Sequence, residues 1–266
     1  MSRNDLSLTP PPHGISGMVY LVGAGPGPVD LLTLRAVDRL RRAQVLVYDR
    51  LIEDEVLALA PEKALRIYVG KASGNHAMPQ QQIHEVLIEH ARAGRQVVRL
   101  KGGDPQLFGR GGEEVQALEQ AGLLFEVVPG ISAANGCAAT AGIPLTHRGM
   151  AHGCTFLPGH LADEAQSLDW PALARPGQTR VFYMGVARLP LIARQLMAHG
   201  LSPRTPAAIV YDGTRRQQQV VARPLDTLMQ LHEAQHGTQS DALRVPRPGL
   251  LIVGETVALS AHFKVD

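Results

Sequence analysis

The sequence predicts an α/β protein of two domains, each built on a mostly parallel or mixed sheet, with a cleft between them. Three observations carry that prediction. Short apolar runs of strand length alternate with amphipathic stretches from Met18 onward, the pattern of a sheet covered by helices. A stretch rich in Gly, Pro and His, residues 141–153, then breaks the rhythm and reads as a link between domains. Glycine-rich loops follow strand-like runs at residues 23–27 and 102–112, where open α/β sheets place their ligands.

Taken in order, residues 1–17 hold Pro10, Pro11, Pro12 and two glycines and predict a disordered lead-in. The first domain is expected over 18–146. Its strands are expected at Met18–Val22, Val45–Tyr48, Leu65–Val69, Gln96–Leu100 and Leu124–Val128. Asp30 is placed to cap a helix over Leu31–Arg42, with Leu31, Leu34, Val37 and Leu40 on one face. Pro79 opens a helix over Gln80–Ala93 that Gly94 closes, and a further helix runs from Glu113 to Gly122. The second domain, 147–266, is expected to hold strands at Cys154–Leu157, Arg180–Met184, Ala207–Tyr211, Gln218–Ala222 and Leu250–Val253. Helices at Leu189–His199 and Leu225–His232 lie among them, and Ala234–Pro248 reads as a loop.

Composition excludes several classes. At 45% hydrophobic and 19% charged, 266 residues suit a globular protein with a substantial core. Aromatic content of 4% argues against stacking platforms for single-stranded nucleic acid, and a net charge of +2 against a nucleic-acid footprint. No apolar run reaches the ~18 residues of a membrane span, and the N-terminus lacks the apolar region of a signal peptide. A cytoplasmic protein without membrane or nucleic-acid partners is the reading. Cys137 and Cys154 have no CxxC spacing, so reduced thiols are expected rather than a metal site or a disulfide.

The loop Val22-Gly-Ala-Gly-Pro-Gly27 superficially resembles a dinucleotide fingerprint. Its spacing is GxGxG with Pro26 inside, whereas the dinucleotide loop needs GxGxxG so that a third glycine packs helix on strand. The segment Arg99–Glu114 is more informative. Gly102 and Gly103 admit close backbone approach, and Asp104, Arg110, Glu113 and Glu114 crowd opposite charges around one loop. Asp49 ends a strand, where it either caps a turn or presents a carboxylate to a ligand.

Together these pieces resemble the uroporphyrinogen-III C-methyltransferase family, within the wider tetrapyrrole methylases. The matching residues are Val22–Gly27 with Asp30-Leu-Leu-Thr33, Val47-Tyr-Asp-Arg-Leu51, Gly70-Lys71, Arg99–Pro105 and Phe108–Glu114. Val128-Pro-Gly-Ile131, Gly142–Gly149, Gly159-His160, Tyr183-Met-Gly185 and Gly213-Thr214 follow in family order. Two positions depart from the pattern: Pro158 stands where a threonine is expected, and Ser132 replaces a threonine but keeps its hydroxyl.

The resemblance implies a homodimer that takes methyl groups from S-adenosylmethionine, releasing S-adenosylhomocysteine. It methylates uroporphyrinogen III at C2 and C7 to give precorrin-2, which feeds sirohaem, cobalamin or haem d1 biosynthesis. Carried over by motif, Pro26, Gly102, Gly103, Asp104, Leu107, Ser132, Ala133, Met184 and Gly213 line the cofactor. Asp49 accepts a proton and Lys71 donates one, while Arg110 and Glu113 complete the catalytic set. A substrate with eight carboxylates calls for cations, and Arg50, Arg110, His147, Arg148 and His160 are the candidates. An NAD-dependent oxidoreductase, a non-catalytic tetrapyrrole binder and a later corrin-ring methyltransferase are the competing readings. The combination of Tyr48–Leu51, Phe108–Gly112 and Leu145–Arg148 favours the first methylation step.

Overall fold

The computed structural model describes residues 17–70, 78–159, 168–236 and 247–265. The chain forms two compact units. One comprises the chain up to Ala24 together with Leu32–Gly130, the other Gly25–Leu31 together with the chain from Ile131 onward.

The first unit runs β1 (Met18–Gly23), α1 (Leu34–Arg41), β2 (Val45–Tyr48), α2 (Asp54–Leu57), β3 (Leu65–Tyr68), α3 (Gln80–Arg92), β4 (Gln96–Lys101), α4 (Gly111–Gln120) and β5 (Leu124–Val128). Its strands pair in the order β3-β2-β4-β1-β5, all parallel. Val19, Leu21, Val45, Val47 and Val97 pack against Ile83, Leu87 and Ala91 of α3 and Leu118 of α4. Branched residues in near-continuous runs are what a parallel sheet covered on its faces requires. The chain leaves β1 toward β2 and leaves neighbouring β4 toward β5, in opposite directions. That is a topological switch point, where open sheets bind ligands.

The second unit holds α5 (Ala133–Thr140), β6 (Gly153–Pro158), α6 (Trp170–Leu173), β7 (Gln178–Tyr183), α7 (Leu189–Ala198), β8 (Pro206–Tyr211), β9 (Gln219–Pro224), α8 (Leu225–His236) and β10 (Gly249–Val253). The order is β6-β7-β10-β8-β9, and only β6 with β7 is parallel. Alternation along its strands sorts two cores. Phe182, Ile209, Leu251 and Val253 face Leu189, Ile192, Leu196 and Leu225, while Val181, Val210, Leu250 and Ile252 face Ala134, Cys137 and Ala138 of α5. Pro158 ends the edge strand β6, a place where a missing N–H costs no ladder bond.

Three local expectations are corrected. Helix α1 starts at Leu34, because the Thr33 hydroxyl, not Asp30, accepts from the N–H of Ala36 at 3.1 Å; Asp30 lies in a separate 3-10 turn. Helix α4 starts at Gly111, two residues before the acids that suggested its start. Helix α8 continues to His236, into the expected loop, whose residues 237–246 lie outside the described chain, as do residues 1–16 of the lead-in.

Candidate active site

Three loops meet backbone to backbone at the carboxyl edge of the parallel sheet. A Cβ added at Gly23, after β1, would lie 2.7 Å from the carbonyl oxygen of Gly103, after β4. One added at Gly130, after β5, would lie 2.3 Å from the same oxygen. No side chain fits there, so glycine is dictated by close approach. Asp104 ties the junction together: Oδ1 accepts from the N–H of Gln106 at 2.8 Å and Oδ2 from that of Gly130 at 3.1 Å. Each oxygen keeps a further lone pair for a ligand.

Beneath that edge lies a buried charge network. Strand β4 carries Arg99 and Lys101 on one face, 2% and 3% exposed, and α4 brings the fully buried Glu114 against them. Glu114 Oε1 accepts from Arg99 Nε at 3.0 Å, from Lys101 Nζ at 2.8 Å and from Gln80 Nε2 at 3.2 Å. Its Oε2 is buried with no hydrogen-bond partner among the described residues. Arg99 spends its remaining nitrogens on the Leu100 carbonyl and on Asp49, whose carboxylate oxygens lie 3.0 and 3.1 Å from Nη2. Burial, and then the charge of Arg99, pushes the Lys101 ammonium below its ordinary range, with Glu114 pulling it back. Asp49 follows β2 directly and is level with Lys101, since Tyr48 pairs with Leu100. It is one-third exposed, so a fixed carboxylate faces outward at the sheet edge.

Arg110 stands in the left-handed region (φ 56°) at the N-cap of α4. Its fork grips Glu113, Nε to Oε1 at 2.8 Å and Nη2 to Oε2 at 2.6 Å, with both side chains about half exposed. The bond holds the Glu113 carboxyl below its usual range and lifts Arg110. The two catalytic candidates on this loop thus occupy each other. Leu107 is half-buried between Asp104 and this pair.

In the second unit Pro26 packs on α5, where a Cβ at Gly136 would strike its ring at 2.6 Å, and its carbonyl accepts from Thr214 Oγ1 at 3.3 Å. Ser132 caps α5, accepting from the Asn135 N–H at 3.3 Å, and Ala133 follows it, half-buried. Gly213 abuts Cys137, whose Sγ would lie 2.1 Å from an added Cβ. The buried Asp212 beside it receives Arg247 at 2.6 and 2.8 Å. Met184 is held at φ 55° with 60% of its surface exposed, an uncommon conformation for a bulky side chain. His147 and Arg148 are exposed within a tight turn closed by bonds between His147 and Ala151, and Arg50 is exposed after β2. Lys71 and His160 lie outside the described residues.

Sequence reasoning assigned no role to Arg99, Lys101 or Gln80. The signal was present: two cations spaced by two residues in a central parallel strand must either be paired or disrupt it. For Thr214 and Asp212 the sequence offered only the Gly213 motif.

Two α/β units, the first with glycine loops at the carboxyl edge of a parallel sheet and an anchored carboxylate at the same edge, define an α/β class of the kind that binds ligands at a sheet edge. The chain belongs to the Tetrapyrrole (Corrin/Porphyrin) Methylases, whose family model matches residues 18–229. It is 53% identical over 245 residues to the sirohaem synthase of Nitrosospira multiformis, covering 92% of this chain and 50% of that one. A Pseudomonas aeruginosa sirohaem synthase is 52% identical over 247 residues, covering 93% and 51%. The chain thus spans about half the length of the curated relatives it matches. Among solved structures it resembles the native uroporphyrin III C-methyl transferase from Thermus thermophilus, with TM-score 0.74 and 42% identity, covering 91% of this chain and 100% of that one. The form of that enzyme complexed with S-adenyl homocysteine gives TM-score 0.73 and 41% identity, covering 91% and 93%. A cobalt precorrin-4 methyltransferase shares the fold, with TM-score 0.76 at 22% identity.

Proposed function

We propose that this chain is an S-adenosylmethionine-dependent methyltransferase that methylates uroporphyrinogen III at C2 and C7 to give precorrin-2. The observation that carries the reading is Asp49, fixed by Arg99 at the same sheet edge as the Gly23–Gly103–Gly130 junction. The family assignment and the Thermus thermophilus relatives support it.

The residues fit this cofactor better than a dinucleotide. A pyrophosphate site needs a helix N-terminus directly after the glycine loop. Here the loop at 23–27 leads into a 3-10 turn, and α1 begins only at Leu34. S-adenosylmethionine carries no phosphate and supplies an electrophilic methyl group on a sulfonium. The residues proposed to hold it are those the motifs carry over: Gly102, Gly103, Asp104, Leu107, Pro26, Ser132, Ala133, Met184 and Gly213. Asp104 accepts from hydroxyl or ammonium donors with the lone pairs its backbone bonds leave. Asp49 is assigned as acceptor of the proton that the macrocycle loses once a ring carbon has attacked the methyl group and the sulfonium has become a thioether, with Lys71 as the donor. Arg50, Arg110, His147, Arg148 and His160 are proposed to meet substrate carboxylates; Arg110 must exchange Glu113 for the substrate to do so. Most of the acceleration then comes from positioning, which supplies ~7–11 kcal/mol in well-oriented systems.

Homodimerisation, a cytoplasmic location and a place before sirohaem, cobalamin or haem d1 belong to the same proposal. Among the described residues no helix is long and apolar enough to cross a membrane. Light scattering tests the dimer. The decisive experiment is anaerobic incubation with uroporphyrinogen III and the methyl donor, read by mass spectrometry. Two added methyl groups per macrocycle are expected, and an unmethylated macrocycle would overturn the reading.

A further inference from the structure

We propose that Glu114 is a positioning residue for methyl transfer, fixing the Asp49 carboxylate through Arg99. The proposal rests on the reading of Asp49 as proton acceptor given above. The geometry is a chain of single contacts within the first unit. Gln80 and Lys101 hold Oε1 of the fully buried Glu114, Glu114 holds Arg99 Nε, and Arg99 Nη2 holds Asp49. The guanidinium is planar, so its orientation at Nε dictates where Nη2 points. Arg99 Nη1 is taken by the Leu100 carbonyl at 3.3 Å, which removes the remaining freedom to pivot. Asp49 follows the last residue of β2 and is one-third exposed; an unanchored carboxylate there would sample several rotamers.

Stability is a poor explanation for this arrangement. Buried ion networks contribute little net stability compared with apolar side chains of like volume. Among the described residues this one also leaves Glu114 Oε2 without a partner, a cost that a purely structural network would avoid. Two cations, Arg99 and Lys101, face two carboxylates, Glu114 and Asp49, so the cluster balances in charge. Of the four charged members only Asp49 reaches the surface appreciably. The network therefore presents one charged group outward, and that group is the one assigned to receive the proton.

The test is a double-mutant cycle. Glu114→Gln keeps the shape and one acceptor but loses the charge that aligns Arg99. Turnover is expected to fall roughly 10- to 100-fold, part of the effect of removing a general base, with unchanged affinity for S-adenosylhomocysteine and unchanged KM for uroporphyrinogen III. In an Asp49→Asn background the same substitution should cost nothing further, because its effect runs through Asp49. If Glu114→Gln does not fold, Arg99→Lys serves in its place: it keeps the charge, loses the fork, and should likewise be silent once Asp49 is gone. Wild-type turnover in both Glu114→Gln and Arg99→Lys, multiplied effects in the double variant, or cofactor affinity falling in step with turnover would overturn the proposal. Wild-type turnover in Asp49→Asn alone would instead remove the proton-acceptor reading itself, and this proposal with it.

Discussion

Met184 and Arg110 both hold the left-handed conformation without being glycine, at a cost of order 1–3 kcal/mol each that the surrounding loops must offset. Met184 exposes most of its side chain, so its strain is not repaid by burial. Met184→Gly should therefore leave the thermal midpoint unchanged or higher while weakening S-adenosylhomocysteine binding about tenfold, the loss of an adaptable thioether contact. Calorimetry and a melting curve on one sample check both halves. Arg110→Lys loses the two-pronged grip on Glu113. Because that pair is half exposed, stability should change by less than about 1 kcal/mol, whereas turnover should fall about 10- to 1000-fold if the fork meets substrate. The cysteines should be inert. Burial pushes both thiols up to about 11, so alkylation at pH 8 should run roughly a hundredfold slower than for a free thiol and accelerate on unfolding.

At the scale of elements, the strands were legible and the helix starts were less so. Val45–Tyr48 and Leu124–Val128 form as their branched runs require. Asp30 misled because any acid before an apolar stripe looks like a cap, and the local bond from the Ala36 N–H shows that Thr33 takes that role. The glycine loops were legible as places of close approach, but not what approaches: a ligand was expected, and the groups seen at Gly23 and Gly130 are neighbouring loop backbone. Gly130→Ala should thus destabilise by about 1–3 kcal/mol through forced separation of those loops and lower cofactor affinity, readable by denaturant titration and calorimetry. Arg180 was legible only as part of a strand. It is buried and donates to the carbonyls of Leu173, Arg175 and Gln178. Desolvation drops its pKa to about 10. Arg180→Met should cost roughly 2–4 kcal/mol by leaving those carbonyls unmet, yet leave turnover per folded molecule intact.

For the whole molecule, two α/β units and the family were readable because ordered motifs span nearly the entire chain. The buried network around Glu114 was not, since its members are 34 residues apart between Gln80 and Glu114 and 50 apart between Asp49 and Arg99. The spacing of Arg99 and Lys101 in one strand shows that they need partners, but not which residues supply them. Ligand linkage offers a test at this scale. S-adenosylhomocysteine at a hundredfold over its Kd should stabilise the fold by about 2.7 kcal/mol, and NAD at the same concentration should not move the melting curve.

Residues 25–31 belong to the second unit although the first unit flanks them on both sides. The polypeptide therefore passes between the units three times, after Ala24, Leu31 and Gly130, and no single scission separates them. A fragment ending at Gly130 would carry Pro26 without Gly136 and Thr214, its packing partners, and protease should find that segment readily. In gene fusions and rearrangements, the smallest portable piece of this protein is accordingly the entire two-sheet chain, never one of its halves.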